Sequence, residues 1–483
     1  MEHRRDNQLS LLRRNYLRLY FLTMPLHAWM LRGRPTYVKY KALKASEFWD
    51  RSRLDELQIA GLQEIVSYAY EHSRFYKDKF DQVGIHPRDI QCLADLQKLP
   101  LLSKDEITTN LNDGLVSAAV EPRNRLKITT SGSTGRPFTI YADREQLETR
   151  FAATLRAMEM TGWRIGDKQA RLWHQTIGMT KVQIIRERVD ALLMRRIFVP
   201  AFEISSENIT QLIKRIRRHD PVLIDGYAES LNFLASFVKS GGVPGFSPKA
   251  IISSAQGLPD NIRSTIEDAF QTKVHDKYGS REFSGIAYEC GYGRDHHVVD
   301  ECYIVEILVD NRPAVPGETG EIVITDLRNL ATPMIRYRIG DLAVEVDNTR
   351  ECECGRQHRR IGRIEGRTQA IVHCADGTWL PSSFFLHFLK DYEDQIKLFQ
   401  IEHDSVGVIE LKVVKNDDFD DEKFNDVIRK LKEFTGLGTE VNVRFVDEIP
   451  LVRTGKRSPV VSTVRSDFQS LPAHVKEEGD SDG

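Results

Sequence analysis

Cysteine is scarce in this 483-residue chain. The six present, Cys92, Cys290, Cys302, Cys352, Cys354 and Cys374, are too few and too unevenly placed for a disulfide framework. This excludes a disulfide-stapled scaffold and favours a reducing, cytoplasmic location. A dominant sign of charge is lacking too: the net charge of -2 gives no global reason to expect a nucleic-acid partner. Long apolar runs are missing. Residues 16–31 are apolar and aromatic, but Arg18, Pro25 and His27 interrupt them and no small-residue cleavage site follows, so neither a signal peptide nor a membrane span is expected. Arg4, Arg5, Arg13 and Arg14 lie close by, which allows at most peripheral membrane contact through a basic amphipathic N-terminus; a helix docked on the body is the simpler expectation. No internal repeat is evident.

What is present describes an ordinary folded protein of some size. Hydrophobic residues make up 41% and charged residues 29%, and the length exceeds what one core normally holds, so two or more domains are expected. The chain is organised around residues 127–137, KITTSGSTGRP. Here Thr130, Ser131, Gly132, Ser133, Thr134 and Gly135 set backbone N–H groups and short hydroxyls where they can converge on one anion. It is no Walker loop, because Arg136 and Pro137 follow Gly135 where that motif needs a lysine. Taken alone it reads as a polar turn.

Apolar residues at helical spacing predict an amphipathic helix from residue 54 that ends near residues 73–76. In 99–107, LPLLSKDEI, Ser103 predicts a helix N-cap with Glu106 three residues on. After the loop come a strand at 138–141 and a helix at 144–160. Next come a helix around Ile209 to Ile216, a strand at 221–224, a helix at 229–238, a strand at 250–252 and a helix at 260–270. That alternation predicts an α/β body with mainly parallel sheet. Strands at shorter spacing follow (303–309, 321–325, 334–337). A final α+β unit holds strands 398–402, 406–414 and 441–445 around a helix at 420–434. The expected division is a large N-terminal unit at 1–365, a small C-terminal domain at 366–470 and an acidic, disordered tail at 471–483.

Four further segments carry chemistry. Ser254, Ala255, Gln256 and Gly257 follow a buried strand, where small residues let a flat ring lie against backbone. Tyr278, Gly279 and Ser280 follow another, with a ring to stack, a hydroxyl to face phosphate, and Glu282 to hold Mg2+. Asp341, in YRIGD at the end of a third strand, can accept both hydroxyls of a ribose. Lys456 follows a flexible Thr-Gly pair in PLVRTGK. Each segment alone reads equally well as surface or scaffold.

Their order and spacing resemble the adenylate-forming superfamily of acyl-CoA synthetases, adenylation domains and luciferases. LPLLSKDEI, TTSGSTGRP, DKYGSREFSG with Glu289-Cys290 after it, and FQIEH at 399–403 resemble its branch of phenylacetate-CoA ligases and their CapK-like, capsular-polysaccharide relatives. The likeness spans roughly residues 50–465. It implies an α/β fold with a large N-terminal adenylate-forming domain and a small mobile α+β C-terminal domain. It also implies a two-step reaction: a carboxylate attacks the α-phosphate of ATP, giving acyl-AMP and pyrophosphate, and a thiol, by resemblance that of CoA, then takes the acyl group.

On that likeness the 130–135 loop binds the β- and γ-phosphates and Glu282 holds Mg2+. Tyr278 stacks on adenine, the 254–257 backbone lines it, Asp341 binds ribose, and Lys456 stabilises charge at the reacting carboxylate and α-phosphate. The hinge falls at Gly366-Arg367, with Arg367 counted among the nucleotide-binding residues. There the sequence departs from the pattern, since Thr368, Gln369 and Ala370 follow where the family carries two acidic residues.

Cys290, His297, Cys352 and Cys354 supply four N/S ligands for a closed structural Zn2+ site. Gly355 permits the tight turn, and His296, Cys302 and His358 stand as substitutes. Two rival readings accompany the CoA ligase. One is transfer of an acyl or adenylyl group to a sugar, hydroxyl or amine acceptor in surface-polysaccharide assembly; the other is a nucleotide-binding scaffold without catalysis. The substrate and the oligomeric state, a homodimer included, are left open.

Overall fold

Ser73 shows how local chemistry shapes the N-terminal region. Its hydroxyl accepts from the backbone N–H of Tyr76, so one helix, Arg51–His72, stops at this residue and a second, Arg74–Gln82, starts from it. The helix expected to end near residues 73–76 does stop at Ser73, and a second helix follows it directly. The computed structural model describes residues 15–16, 19–20, 36–130, 138–173, 181–201, 208–241, 246–255, 257–364, 371–436, 438–449, 459–462 and 464.

Ser103 and Glu106 form the expected reciprocal cap at the start of Lys104–Asn110: Glu106 N donates to Ser103 Oγ at 3.2 Å and Ser103 N to Glu106 Oε2 at 2.8 Å. The helix Ile209–His219 buries Ile209, Ile213 and Ile216, the i, i+4, i+7 stripe that the sequence advertised, and closes on Asp220 in left-handed conformation. Each such fully buried aliphatic contributes roughly 1.5–3 kcal/mol.

The central sheet has eight strands. Five are parallel, in the spatial order Arg196–Pro200, Gln169–Trp173, Leu223–Tyr227, Ala250–Ser254, Val274–Ser280. The sheet then continues antiparallel through Ser284–Glu289, His296–Val298 and Arg360–Ile361. The α/β expectation holds, with the parallel portion confined to this half. A four-stranded antiparallel sheet, Arg312–Pro313, Tyr303–Val309, Thr319–Asp326 and Tyr337–Val344 in spatial order, packs beside it.

Three of the expected boundaries shift. The strand expected at 334–337 instead begins at Tyr337 and runs to Val344. Before it, Arg336 is held in left-handed backbone conformation (φ 51°), its guanidinium clamped by Glu306 at 2.8 and 3.0 Å and by the Leu99 carbonyl at 2.7 Å. Asp341 thus lies within its strand rather than at the end. Likewise Ser254 and Tyr278 to Ser280 are the last residues of their strands, not loop residues beyond them.

The C-terminal sheet runs Glu440–Phe445, Val408–Lys415, Ile396–His403, Val460–Ser462, with the helix Asp421–Thr435 burying Phe424, Val427 and Leu431. One apolar cluster fills the space between the N-terminal helices, one face of the central sheet and the antiparallel sheet. A second joins the other face (Ile224, Ile251) and Ile266 of the helix Asp260–Phe270 to Phe384 of the helix Ser382–Leu389 and to Ile401 and Leu411 of the C-terminal sheet. Among the described residues, no helix is long and apolar enough to cross a membrane.

Candidate active site and metal centre

Strands that run parallel deliver their carboxyl ends to one edge, and ligands collect there. At that edge Tyr278, almost fully buried, points its hydroxyl at the neighbouring antiparallel sheet and donates to Asp341 Oδ2 at 3.1 Å. Two residues separated by 63 positions in the chain therefore meet as a pair. Gly279 follows because nothing larger fits: a Cβ there would stand 2.1 Å from the Ser284 carbonyl oxygen.

The turn after it carries Glu282, also buried. Phe283 N donates to Ser280 Oγ at 3.3 Å, and Arg150 Nη2 donates to the Arg281 carbonyl at 2.9 Å. The 130–135 loop belongs to a hairpin whose strands, Leu126–Thr130 and Phe138–Ala142, pair antiparallel with Thr130 opposite Phe138. Phe138 stacks on Tyr337 at 6.1 Å and 3°, and Phe283 leans on the same ring at 6.0 Å. Three aromatic rings thus tie the mouth of the hairpin, the Asp341 strand and the Glu282 turn together.

Ala255, with φ 67°, turns the chain out of its strand beside Ser254, and Gly257 has open space where a Cβ would stand. Ser131, Gly132, Ser133, Thr134, Gly135, Gln256, Arg367 and Lys456 lie outside the described residues.

The four proposed metal ligands converge. The ligand atoms of Cys290, His297, Cys352 and Cys354 all lie within 4.8 Å of one another, with Cys290 Sγ 3.6 Å from Cys352 Sγ and Cys354 Sγ 3.4 Å from His297 Nε2. Cys290 directly follows the strand Ser284–Glu289, and His297 sits in the next strand opposite Arg360. Gly355, with φ 78°, closes the turn by donating its N–H to the Cys352 carbonyl at 2.9 Å.

Three thiols and an imidazole at these separations match a zinc tetrahedron, whose edges are about 3.8 Å for Zn–S bonds near 2.3 Å. The hydrogen bond with Cys290 holds the Cys354 thiol down to about 2 while pushing Cys290 up, and burial raises Cys352.

The substitutes are engaged elsewhere. His296 pairs with Asp276 at 3.1 Å, His358 with Glu301 at 3.3 Å, and burial pushes the Cys302 thiol up to about 12. Strand alternation accounts for His296, which points away from the side its neighbour His297 faces.

Sequence reasoning missed Lys277 and Arg171. Both are charged residues in strands that run inside the sheet, and a lysine directly before Tyr278 was the available signal.

Comparison with known proteins agrees with this architecture. Residues 372–463 match the family model of the CapK C-terminal domain. Protein CapK of Staphylococcus aureus is 25% identical over 447 residues, covering 89% of this chain and 94% of that protein. Phenylacetate-coenzyme A ligase of Pseudomonas putida is 27% identical, covering 67% of this chain and 75% of the relative; its counterpart from Thermus thermophilus is 28% identical, with 67% and 72% covered. Among solved structures, 2-hydroxyisobutyryl-CoA ligase in complex with 2-HIB-AMP and CoA superposes with a TM-score of 0.59 at 20% identity, over 86% of this chain and 91% of that one. The same enzyme in its postadenylation state gives 0.56 at 19% identity, with the same coverage. At these identities the structural likeness speaks for the fold.

Proposed function

The chain is a homologue of CapK and the phenylacetate-coenzyme A ligases with the fold of adenylate-forming CoA ligases, and from that premise we propose that it is an AMP-forming ligase. It activates a carboxylate with ATP as an acyl-adenylate and passes the acyl group to CoA. The observation that carries the reading is the Tyr278–Asp341 pair at the carboxyl edge of the parallel strands, beside the mouth of the 130–135 hairpin.

In this reading Tyr278 offers its ring to adenine, with the backbone of Ser254, Ala255, Gln256 and Gly257 along the edge of the base. Asp341, already oriented by the Tyr278 hydroxyl, accepts from the ribose. The hydroxyls and amides of residues 130–135 hold the β- and γ-phosphates. Glu282 supplies the carboxylate for Mg2+, which offsets charge on the departing pyrophosphate. Its burial suits a carboxylate that is to hold a cation rather than water. Lys456 stabilises the charge that develops between the attacking carboxylate and the α-phosphate. Residues 366–470 act as the mobile domain that brings Lys456 in, turning at Gly366-Arg367, with 1–365 as the body and 471–483 as a tail.

The cluster of Cys290, His297, Cys352 and Cys354 takes a structural zinc ion. It ties the antiparallel end of the central sheet to the 352–355 turn, away from Tyr278 and Asp341 in the fold.

A second reading has two observations behind it. The similarity to protein CapK spans nearly the full length, and Gln369 and Ala370 replace acids at the hinge, so the acceptor in the second step is a sugar hydroxyl or amine instead of CoA. The first half-reaction is common to both.

Lys456→Ala tests the assignment. Pyrophosphate release from ATP in the presence of an accepted acid falls by at least about 100-fold with melting temperature unchanged, as for loss of one charge-stabilising group. An unaltered rate would remove Lys456 from the site.

A further inference from the structure

On the face of the central sheet that carries Lys277, just before the Tyr278 nucleotide pair, four parallel strands bring Arg171, Asp225, Ser254 and Lys277 together near their carboxyl ends, beside the rings of Trp173 and Tyr227. Register sets them side by side: Arg171 opposite Asp225, Tyr227 opposite Ser254, and Ser254 opposite Lys277. Strand alternation adds Trp173, two residues beyond Arg171, to the same face.

The Arg171 guanidinium pairs with Asp225 at 3.2 Å and lies 4.5 Å over the Trp173 ring, which in turn stacks on Tyr227 at 4.4 Å and 11°. Lys277, half-buried, sits 5.8 Å from the Tyr288 ring, and no described carboxylate lies within ion-pair distance of its ammonium. Two cations therefore face one carboxylate. Asp225 Oδ1 and Ser254 Oγ are buried and find no hydrogen-bond partner among the described residues, and the same is true of Ser230 Oγ in the helix Ala228–Lys239. Unsatisfied buried polar atoms cost about 1–3 kcal/mol each, so polar groups placed in this way favour a polar ligand over an apolar one.

We propose that this face is the acyl end of the substrate site and that it selects a hydrophilic acid bearing a second anionic group, with Lys277 pairing that distal anion and Asp225 and Ser254 receiving its hydroxyls. The inference rests on the adenylation reading for the fate of the reacting carboxylate and goes beyond it in naming the substrate class. An aryl or alkyl tail would leave the Lys277 ammonium and the serine hydroxyls desolvated and unpaired, the condition under which a polar site rejects an apolar analogue most strongly. Burial lowers the Lys277 pKa against the opposing pull of Asp225, as expected for a cation awaiting a counter-ion.

The test compares glutarate and malate with pentanoate and phenylacetate as substrates for pyrophosphate release. It uses wild-type protein, Lys277→Met and Lys277→Arg, with calorimetric binding of each acid and a melting temperature measured in parallel. The expected result is a kcat/KM ratio of dicarboxylate to neutral acid of at least tenfold in wild type. That ratio falls to near one in Lys277→Met and is largely restored in Lys277→Arg. A wild-type preference for the neutral acids, or a ratio that Lys277→Met leaves unchanged, overturns the inference and leaves adenylation standing. Dicarboxylate binding that needs Lys277 but releases no pyrophosphate upholds the pocket and overturns adenylation. If no acid binds or reacts, both fall.

Discussion

The Tyr278–Asp341 contact makes the nucleotide reading testable one atom at a time. Asp341→Asn keeps the shape but weakens acceptance from the ribose, and ATP KM is expected to rise about tenfold, the worth of one charge-assisted hydrogen bond. Tyr278→Phe removes the hydroxyl that orients Asp341 and keeps the ring, so its effect should be smaller and should overlap with that of Asp341→Asn in a double-mutant cycle. Independent, additive effects would mean that the pair does not act together.

A different residue-scale expectation concerns stability. Arg156, fully buried, holds Glu301 at 2.7 and 3.2 Å, with His358 3.3 Å away and the Ser46 hydroxyl donating to the same carboxylate. Burial alone would raise Glu301, but Arg156 and His358 outweigh it and hold it well below its ordinary value of 4.5. Because the folded value is depressed, this stabilisation is complete above pH 4.5 and is lost as pH falls through the folded value. Arg156→Met strands the carboxylate and costs about 3–5 kcal/mol, read as a lower urea midpoint at pH 7. The deficit should shrink in acid.

Of these residues, Tyr278 and Asp341 were legible in the sequence because each stands in a short motif whose order along the chain is informative. Lys277 and Arg171 were not, because a charged residue inside a strand declares which way it faces only once register is known.

The caps are the most legible features at the scale of elements. Ser103 with Glu106 marked a helix start from side-chain chemistry alone, and the stripe of Ile209, Ile213 and Ile216 marked a buried helix face. The strand expected at 334–337 failed for a physical reason, since its apolar residues are buried by tertiary packing while Arg336 is clamped in a conformation no strand admits. The thiol–imidazole cluster falls between these cases. The four ligands, His297 among them, were readable from residue type and spacing, but their convergence and the exclusion of His296 needed the strand's facing.

That cluster predicts about one zinc ion per chain by elemental analysis of protein purified without chelator. Cys354→Ser should lose the metal and lower the melting temperature, and prolonged chelation should do the same to wild type. A chelator-treated protein with unchanged melting temperature and full thiol reactivity would show that the four side chains pack without metal.

At the scale of the whole molecule, the order of elements was readable as an α/β body, an antiparallel sheet and a C-terminal α+β unit. Each hydrophobic period was local, and the alternation of strand and helix carried the parallel topology. The antiparallel continuation of the central sheet was not readable, because strand pairing between distant segments leaves no local trace. The second apolar cluster, which runs from Ile224 and Ile266 into Phe384 and Ile401, joins the C-terminal sheet to the body in the described arrangement.

If residues 366–470 turn between half-reactions, a cross-link fixing Lys456 away from the Tyr278–Asp341 edge should abolish adenylation and leave ATP binding intact. Retained adenylation in the cross-linked protein would argue against that motion.

The central claim is that this chain adenylates a carboxylate. Pyrophosphate release from ATP and Mg2+ across a panel of aryl, fatty, sugar and dicarboxylic acids, with and without CoA, tests it most directly. The account predicts release that depends on one acid class and, when CoA is added, a thioester with AMP as the second product. Tight ATP binding with no acid-dependent release from any class would contradict it.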